Sequence, residues 1–252
     1  MVKERRISIK TQEELEVMRR AGRMTAEVLR LLQTEAKPGV ATRKLDEIAE
    51  EWIRSEGGEP AFKGYYGYPA SICASVNEEV VHGIPGFRVL KEGDIVGIDV
   101  GVKLDGFCAD AARTLAVGVI EAESRRLMEV TQEALAEGIR RAVEGNRLQD
   151  ISWAVQSCVE GHGFSVVREY VGHGIGRELH EEPQVPNFGK PHTGPLLVAG
   201  MTLAIEPMVN MGTFQVEVLS DGWTVVTKDR RRSSHFEETV IVGTKEAEVI
   251  TR

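Results

Sequence analysis

Four carboxylates and one imidazole stand in short, mostly apolar settings. They are Asp99 in DIVGIDVGV, Asp110 in DGFCAD, His173 in GHGIGRELH, Glu206 in LAIEPM and Glu237 in HFEETV. Burying even one ionised carboxylate without a partner is very costly. Two divalent cations sharing these ligands would offset that cost, and the paired ions would generate and position a hydroxide for hydrolysis. Oxygen and imidazole donors suit Mn, Fe, Co or Zn.

The elements that carry these residues can be read locally. Asp99 and Asp110 lie 11 residues apart around VKLDGF, in which Asp105-Gly106 is a hairpin signal. A hairpin would set two strands side by side and let both carboxylates face one point. The competing reading is two surface aspartates near a turn, which apolar Ile98, Val100 and Phe107 disfavour. Residues 94–102, 202–206 (TLAIE) and 236–242 (FEETVIV) are β-rich. In each, a carboxylate interrupts an apolar pattern, so Asp99, Glu206 and Glu237 are expected to point from strands into an enclosed space.

His173 and His180 stand seven residues apart in a glycine-rich turn that is neither HExxH nor GxGxxG. Both could instead be histidines hydrogen-bonded in a loop. His82 in NEEVVHGIP is a third candidate. His162, His192 and His235 read as structural or solvated. The run FKGYYGYP holds Phe62, Tyr65, Tyr66 and Tyr68; such runs serve packing, but nearby Cys73 and His82 make a pocket wall an alternative.

Helices must flank these strands. Thr11 with Glu14 three residues on forms a capping-box signal, and Met18, Ala21, Val28, Leu29 and Leu32 follow at helical spacing. The pattern predicts a helix from about Gln12 to Glu35, closed by KPG. A second, capped by Thr42, carries Leu45, Ile48, Ala49, Trp52 and Ile53 and stops at Gly57-Gly58. A similar pair returns after residue 122, with Leu127, Val130, Ala134 and Leu135, then Ile151, Ala154, Val155 and Val159. Laying Gly39 over Gly145 puts Gly57 on Gly163. This fits one domain over 1–252 made of two related halves, roughly 11–115 and 120–245, although generic amphipathic helices produce the same spacing. The expected class is α/β (α+β), with central antiparallel strands and helices outside.

Composition narrows the partners. A chain of 252 residues with 42% hydrophobic and 28% charged residues reads as soluble and globular. A net charge of −8 argues against nucleic acid or an anionic membrane as main partner. The basic run Lys228, Arg230, Arg231 and Arg232 reads as a solvated loop. Three cysteines, Cys73, Cys108 and Cys158, without CxxC, fit a reducing compartment. The opening MVKERRISIK lacks an apolar leader core, and no run approaches a membrane span, so the cytoplasm is expected.

GYPASICASVNEEVVHGIP, DIVGIDVGVKLDGFCADAARTL, GHGIGRELHEEPQV, GMTLAIEPM and DGWTVVTKDRRRSSHFEET together resemble the type I methionine aminopeptidases, of pita-bread fold. The resemblance implies two pseudo-symmetric halves and a monomer that removes N-terminal methionine from nascent proteins and peptides when the second residue is small. It also implies two divalent ions: Asp99 chelating one, Asp110 and Glu237 bridging, His173 and Glu206 completing the other's shell. By the same resemblance Glu206 is the general base, His180 steadies the carbonyl oxygen and His82 meets the scissile nitrogen. The first-residue pocket would be lined by Phe62, Tyr65, Tyr68, Cys73, Leu179 and Trp223. A monovalent cation would sit at Asn77, Glu79 and Ser233, and a weak ribosome contact is open. Leu179 stands where the family commonly has an aromatic, Phe62 where it often has cysteine, and Glu238 where histidine is common. A proline-directed aminopeptidase of the same fold and a non-catalytic binding protein on this scaffold are the rival readings.

Overall fold

The computed structural model describes residues 7–252; the opening MVKERR, read above as no leader, lies outside the described residues. Helix α1 spans Gln12–Glu35. Its start is set locally, because Thr11 Oγ1 accepts from the Glu14 amide while the Glu14 carboxylate accepts from the Thr11 amide. The predicted stripe of Met18, Ala21, Val28, Leu29 and Leu32 is buried. Gly22, a weak helix former, is required by packing, since a Cβ there would lie 2.2 Å from the Ile250 carbonyl oxygen. Helix α2 spans Thr42–Ser55, and here the expected cap is corrected. Ala41 holds the cap position, and Thr42 Oγ1 accepts instead from the Gly86 amide at 2.9 Å. A loop distant in sequence has claimed the hydroxyl.

The chain continues through strands β1 (Glu59–Pro60), β2 (Ile72–Val76), β3 (Glu79–Val81), β4 (Ile95–Leu104) and β5 (Phe107–Ala116). Helices α3 (Ala122–Arg141) and α4 (Leu148–Gly161) follow, then β6 (Ser165–Val166), β7 (Gly172–Gly174), β8 (Glu181–Val185) and β9 (Thr202–Ile205). The last strands are β10 (Met208–Asn210), β11 (Val216–Val218), β12 (Val225–Thr227), β13 (Ser233–His235), β14 (Glu238–Ile241) and β15 (Glu248–Val249).

Every paired strand among the described residues is antiparallel. The central units are β1-β4-β2, with β5 on β4, and β15-β14-β9-β7-β8. A seam joins them: the Glu237 amide donates to the Ala112 carbonyl at 3.0 Å, and Thr239 Oγ1 donates to the Asp110 carbonyl at 2.8 Å. Helices α1 and α2 cover β2, β4 and β5 through Leu32, Leu45, Ile53, Ile98 and Val100. Helices α3 and α4 cover the other half, with Leu135, Ile139 and Ile151 against Val185, Leu203, Ile205 and Val240.

The β4–β5 hairpin forms as expected. Leu104 pairs with Phe107, and Asp105 (φ 48) and Gly106 (φ 83) make the left-handed turn that Asp-Gly favours. Two strand bounds differ from expectation. Strand β9 ends at Ile205 and β14 begins at Glu238, so Glu206 and Glu237 stand just outside strands. Pro207 has no N–H with which to continue β9, and the backbone of Glu237 pairs across the seam with Ala112. No helix among the described residues is long and apolar enough to cross a membrane.

Candidate active site

The seam positions the carboxylates. In the β4–β5 ladder Asp99 pairs with Ala112 and Gly101 with Asp110, which makes the two aspartates diagonal neighbours on one face. Glu237 enters beside Ala112 from the other sheet. Strand β7 brings His173 between β8 and β9, and its flanking glycines allow the approach. A Cβ on Gly172 would lie 2.4 Å from the Ala204 carbonyl oxygen, and one on Gly174 would lie 2.2 Å from that of Glu182. His173 Nδ1 bonds the Gly174 carbonyl at 2.9 Å, so this nitrogen carries the proton and Nε2 offers its lone pair. That lone pair faces Glu206 Oε1 at 3.5 Å. Two acceptors facing each other across such a gap fit a cation between them.

The electrostatics agree with that reading. Burial, then Asp110 and Glu206, pushes the Asp99 carboxyl well above its ordinary range. Burial raises Asp110 to about 7, and raises Glu206 and Glu237 with help from neighbouring carboxylates. Burial lowers His173 to about 3 and His82 to about 4, with His180 the next cause for each, and lowers His180 itself. No Lys or Arg among the described residues forms an ion pair with any of the four carboxylates. Arg113, which acts on Glu237 from nearby, is engaged by the Glu237 carbonyl and by Glu238. Five buried side-chain polar atoms among the described residues lack a hydrogen bond, and four belong here: Asp99 Oδ1, Asp110 Oδ1, Glu237 Oε1 and His235 Nε2. Ligand atoms of Asp110, His173 and Glu237 lie within 4.8 Å of one another, as do those of Glu206, His235 and Glu237. Orphaned buried oxygens without a protein cation fit divalent ions.

Asp99, Asp110, His173, Glu206 and Glu237 line a cavity of about 390 Å³. Its walls hold His82 and all six residues expected in the first-residue pocket: Phe62, Tyr65, Tyr68, Cys73, Leu179 and Trp223. Tyr68 and Trp223 meet edge to face at 5.1 Å between centroids, and the Tyr68 hydroxyl lies 3.0 Å from the Gly83 carbonyl oxygen. His180 Nδ1 bonds the Tyr65 hydroxyl at 2.8 Å, leaving Nε2 for a ligand. The His180 ring lies 4.2 Å from that of His173, and the His82 ring 6.4 Å from that of Trp223. Asn77, Glu79 and Ser233 do not line the cavity. Asn77 takes φ 58 and its carbonyl accepts from the Ser233 amide at 2.9 Å, while the Glu79 carboxylate is engaged by the Val76 amide and Arg88.

A family model described as metallopeptidase family M24 matches residues 16–244. The chain belongs to metallopeptidase family M24. A methionine aminopeptidase of Clostridium perfringens (strain 13 / Type A) is 54% identical over 97% of this chain and 98% of its own length. The crystal structure of a methionine aminopeptidase from Thermotoga maritima superposes with a TM-score of 0.97 at 47% identity, covering 98% of this chain and 100% of that one. A prolidase from Pyrococcus furiosus shares the fold, with a TM-score of 0.80 at 22% identity over 97% of this chain and 65% of its own. The pita-bread fold expected from the sequence is thus the fold of this M24 chain.

Sequence reasoning missed two residues of this M24 site. Tyr66, named only within the aromatic run, lines the cavity mouth. His235, read as structural or solvated, is 3% exposed with Nε2 3.6 Å from Glu206 Oε2. Its place two residues before Glu237, on the opposite side of Phe236, was the available signal.

Proposed function

We infer that this protein is a methionine aminopeptidase: a metal-dependent exopeptidase that hydrolyses the bond after an N-terminal methionine. The observation that carries the reading is one cavity in which an apolar aromatic wall meets a cluster of uncompensated carboxylates. The near full-length identity to methionine aminopeptidases supports it.

In this reading two divalent ions, drawn from Mn, Fe, Co or Zn, would when bound acidify a water and polarise the scissile carbonyl. Asp99, Asp110, His173, Glu206 and Glu237 would hold these ions through their carboxylate oxygens and the His173 Nε2 lone pair. Glu206 accepts the proton of the attacking water; burial raises its carboxyl above the ordinary range, which makes it a stronger base than an exposed carboxylate. His180, steadied by Tyr65, donates from Nε2 to the carbonyl oxygen. His82, beside Trp223, meets the scissile nitrogen. Phe62, Tyr65, Tyr68, Cys73, Leu179 and Trp223 enclose the methionine, whose thioether packs well on aromatic edges.

The same reading takes the chain as a cytoplasmic monomer acting on nascent chains with a small second residue. A monovalent cation at Asn77, Glu79 and Ser233 is supported by the turned Asn77 backbone against Ser233. Ribosome contact at the basic run gains little support, since Arg230 pairs with Glu217 and Arg231 with Glu123. Two related halves, 11–115 and 120–245, are supported by matching backbone at the aligned glycines: φ 92 and 90 at Gly39 and Gly145, 82 at both Gly57 and Gly163.

The test is a peptide panel with each candidate metal. Met-Ala-Ser should be cleaved and norleucine in the first position tolerated, because a misplaced methylene is worth only about 1–3 kcal/mol. Lys-Ala-Ser should be rejected, since its charge would go uncompensated in the apolar wall. Cleavage of Lys-Ala-Ser as fast as Met-Ala-Ser would defeat the methionine assignment, and preference for Ala-Pro-Ala would point to the proline-directed reading.

A further inference from the structure

His235 has a defined setting and no role in the scheme above. It ends β13, where it pairs with Met208 of β10. The Thr114 hydroxyl clamps its backbone, accepting from the His235 amide at 2.9 Å and donating to its carbonyl at 2.8 Å. The backbone is therefore held by two elements, and the ring is buried with Nε2 unpartnered. That nitrogen faces Glu206 Oε2 at 3.6 Å.

A neutral imidazole carries one N–H and one lone pair. A carboxylate oxygen only accepts, so a lone pair on Nε2 would face another lone pair, whereas an N–H would be attracted. Glu206 thus lies between two imidazoles in opposite roles. His173 turns a lone pair toward Oε1, since its proton is held by Gly174. We propose that His235 is a positioning residue whose Nε2–H donates to Glu206 Oε2 and holds that carboxylate in the orientation used for metal binding and proton transfer. The 3.6 Å separation exceeds the roughly 2.9 Å of an N–H···O bond, so Glu206 must shift toward the ring to make it.

The kinetic arm of the test rests on the methionine aminopeptidase reading; the binding arm does not. His235→Leu and His235→Gln are compared with the unchanged protein. Metal-stripped samples are titrated with Mn²⁺ by calorimetry, and Met-Ala-Ser turnover is followed at saturating Mn²⁺. Removing an outer partner of a metal ligand typically costs about 10–100-fold in affinity or activity. His235→Leu should therefore lose at least about tenfold in Mn²⁺ affinity and in kcat, with KM within about twofold. His235→Gln offers an amide N–H in place of the ring and should recover most of both. A merely structural role would penalise the two variants alike and shift melting temperature without a kcat-against-KM split. Should His235→Leu not fold, His235→Asn, whose amide falls short of Glu206, replaces it with the same expectations. Equal losses in the Gln and Leu variants, or unchanged affinity and kcat in Leu, would overturn the proposal. So would the loss of one whole metal equivalent in both, which would make His235 a ligand itself. If the unchanged protein binds Mn²⁺ but does not cleave Met-Ala-Ser, the functional reading fails and calorimetry still decides His235.

Discussion

Stripping the metal should leave a protein that loses stability as pH rises above about 6.5. Burial raises Asp110 from 3.8 to about 7 and raises Asp99, Glu206 and Glu237 as well. A raised carboxyl keeps its proton in the folded state after the unfolded chain has released it. Its contribution is full below the unfolded pKa and is lost as pH rises through the folded one. For Asp110 the shift from 3.8 to about 7, at about 1.4 kcal/mol per pH unit, is on the order of 4 kcal/mol. The buried histidines act oppositely. Burial lowers His82 from 6.5 to about 4 and His173 and His235 to about 3, so their contribution is lost as pH falls below 6.5. Between about pH 4.5 and 6.5 the two sets offset each other. Above 6.5 the histidines are neutral in both states and only the carboxyls remain. Each proton still held then gives a slope of about 1.4 kcal/mol per pH unit. Urea unfolding of chelator-treated protein from pH 6.5 to 8 measures that slope, and dividing by the unit value counts the protons. Saturating Mn²⁺ should abolish it and release those protons on binding, which calorimetry in two buffers detects. A metal-free stability that is flat or rises with pH in this window, or binding without proton release, would refute the reasoning.

Asp110→Ala and Glu237→Ala should each lose metal and turnover together, because both residues are shared between ions; near-normal metal content with near-normal turnover would rule out shared ligation. Glu206→Gln at saturating metal should lose about 10²–10⁴ in kcat, roughly 3–5 kcal/mol of barrier, and a loss below about tenfold would remove Glu206 as base. Tyr65→Phe deletes the hydroxyl 2.8 Å from His180 Nδ1; one hydrogen bond of about 1 kcal/mol predicts about fivefold in kcat/KM, and an unchanged value would show that His180 needs no such support. Gly101→Ala would put a Cβ 2.6 Å from Phe62 Cε1, so the ring must move and KM for Met-Ala-Ser should rise at unchanged metal content; constant KM would mean Phe62 does not shape the pocket.

Much of this protein is legible along the chain because it rests on interactions between near neighbours. The capping box at Thr11 and Glu14 places the start of α1, and spacing alone picks its buried stripe. Asp105-Gly106 sets the hairpin, and the hairpin sets the Asp99–Asp110 diagonal. The five motifs that resemble methionine aminopeptidases carry the charge that needs compensation, because a carboxylate within an apolar pattern is conspicuous in the sequence itself. What tertiary structure decided lies where a polar group had a choice of partner. Thr42 looks like a cap, yet its hydroxyl binds Gly86, which lies 44 residues away. Glu206 and Glu237 read as strand residues, yet a proline and a cross-sheet pairing with Ala112 put them at strand ends. His235 has an unremarkable local sequence. Only folding buries its ring and brings Nε2 to face Glu206, because its backbone is held by β10 and Thr114, which the chain brings together from positions 27 and 121 residues away.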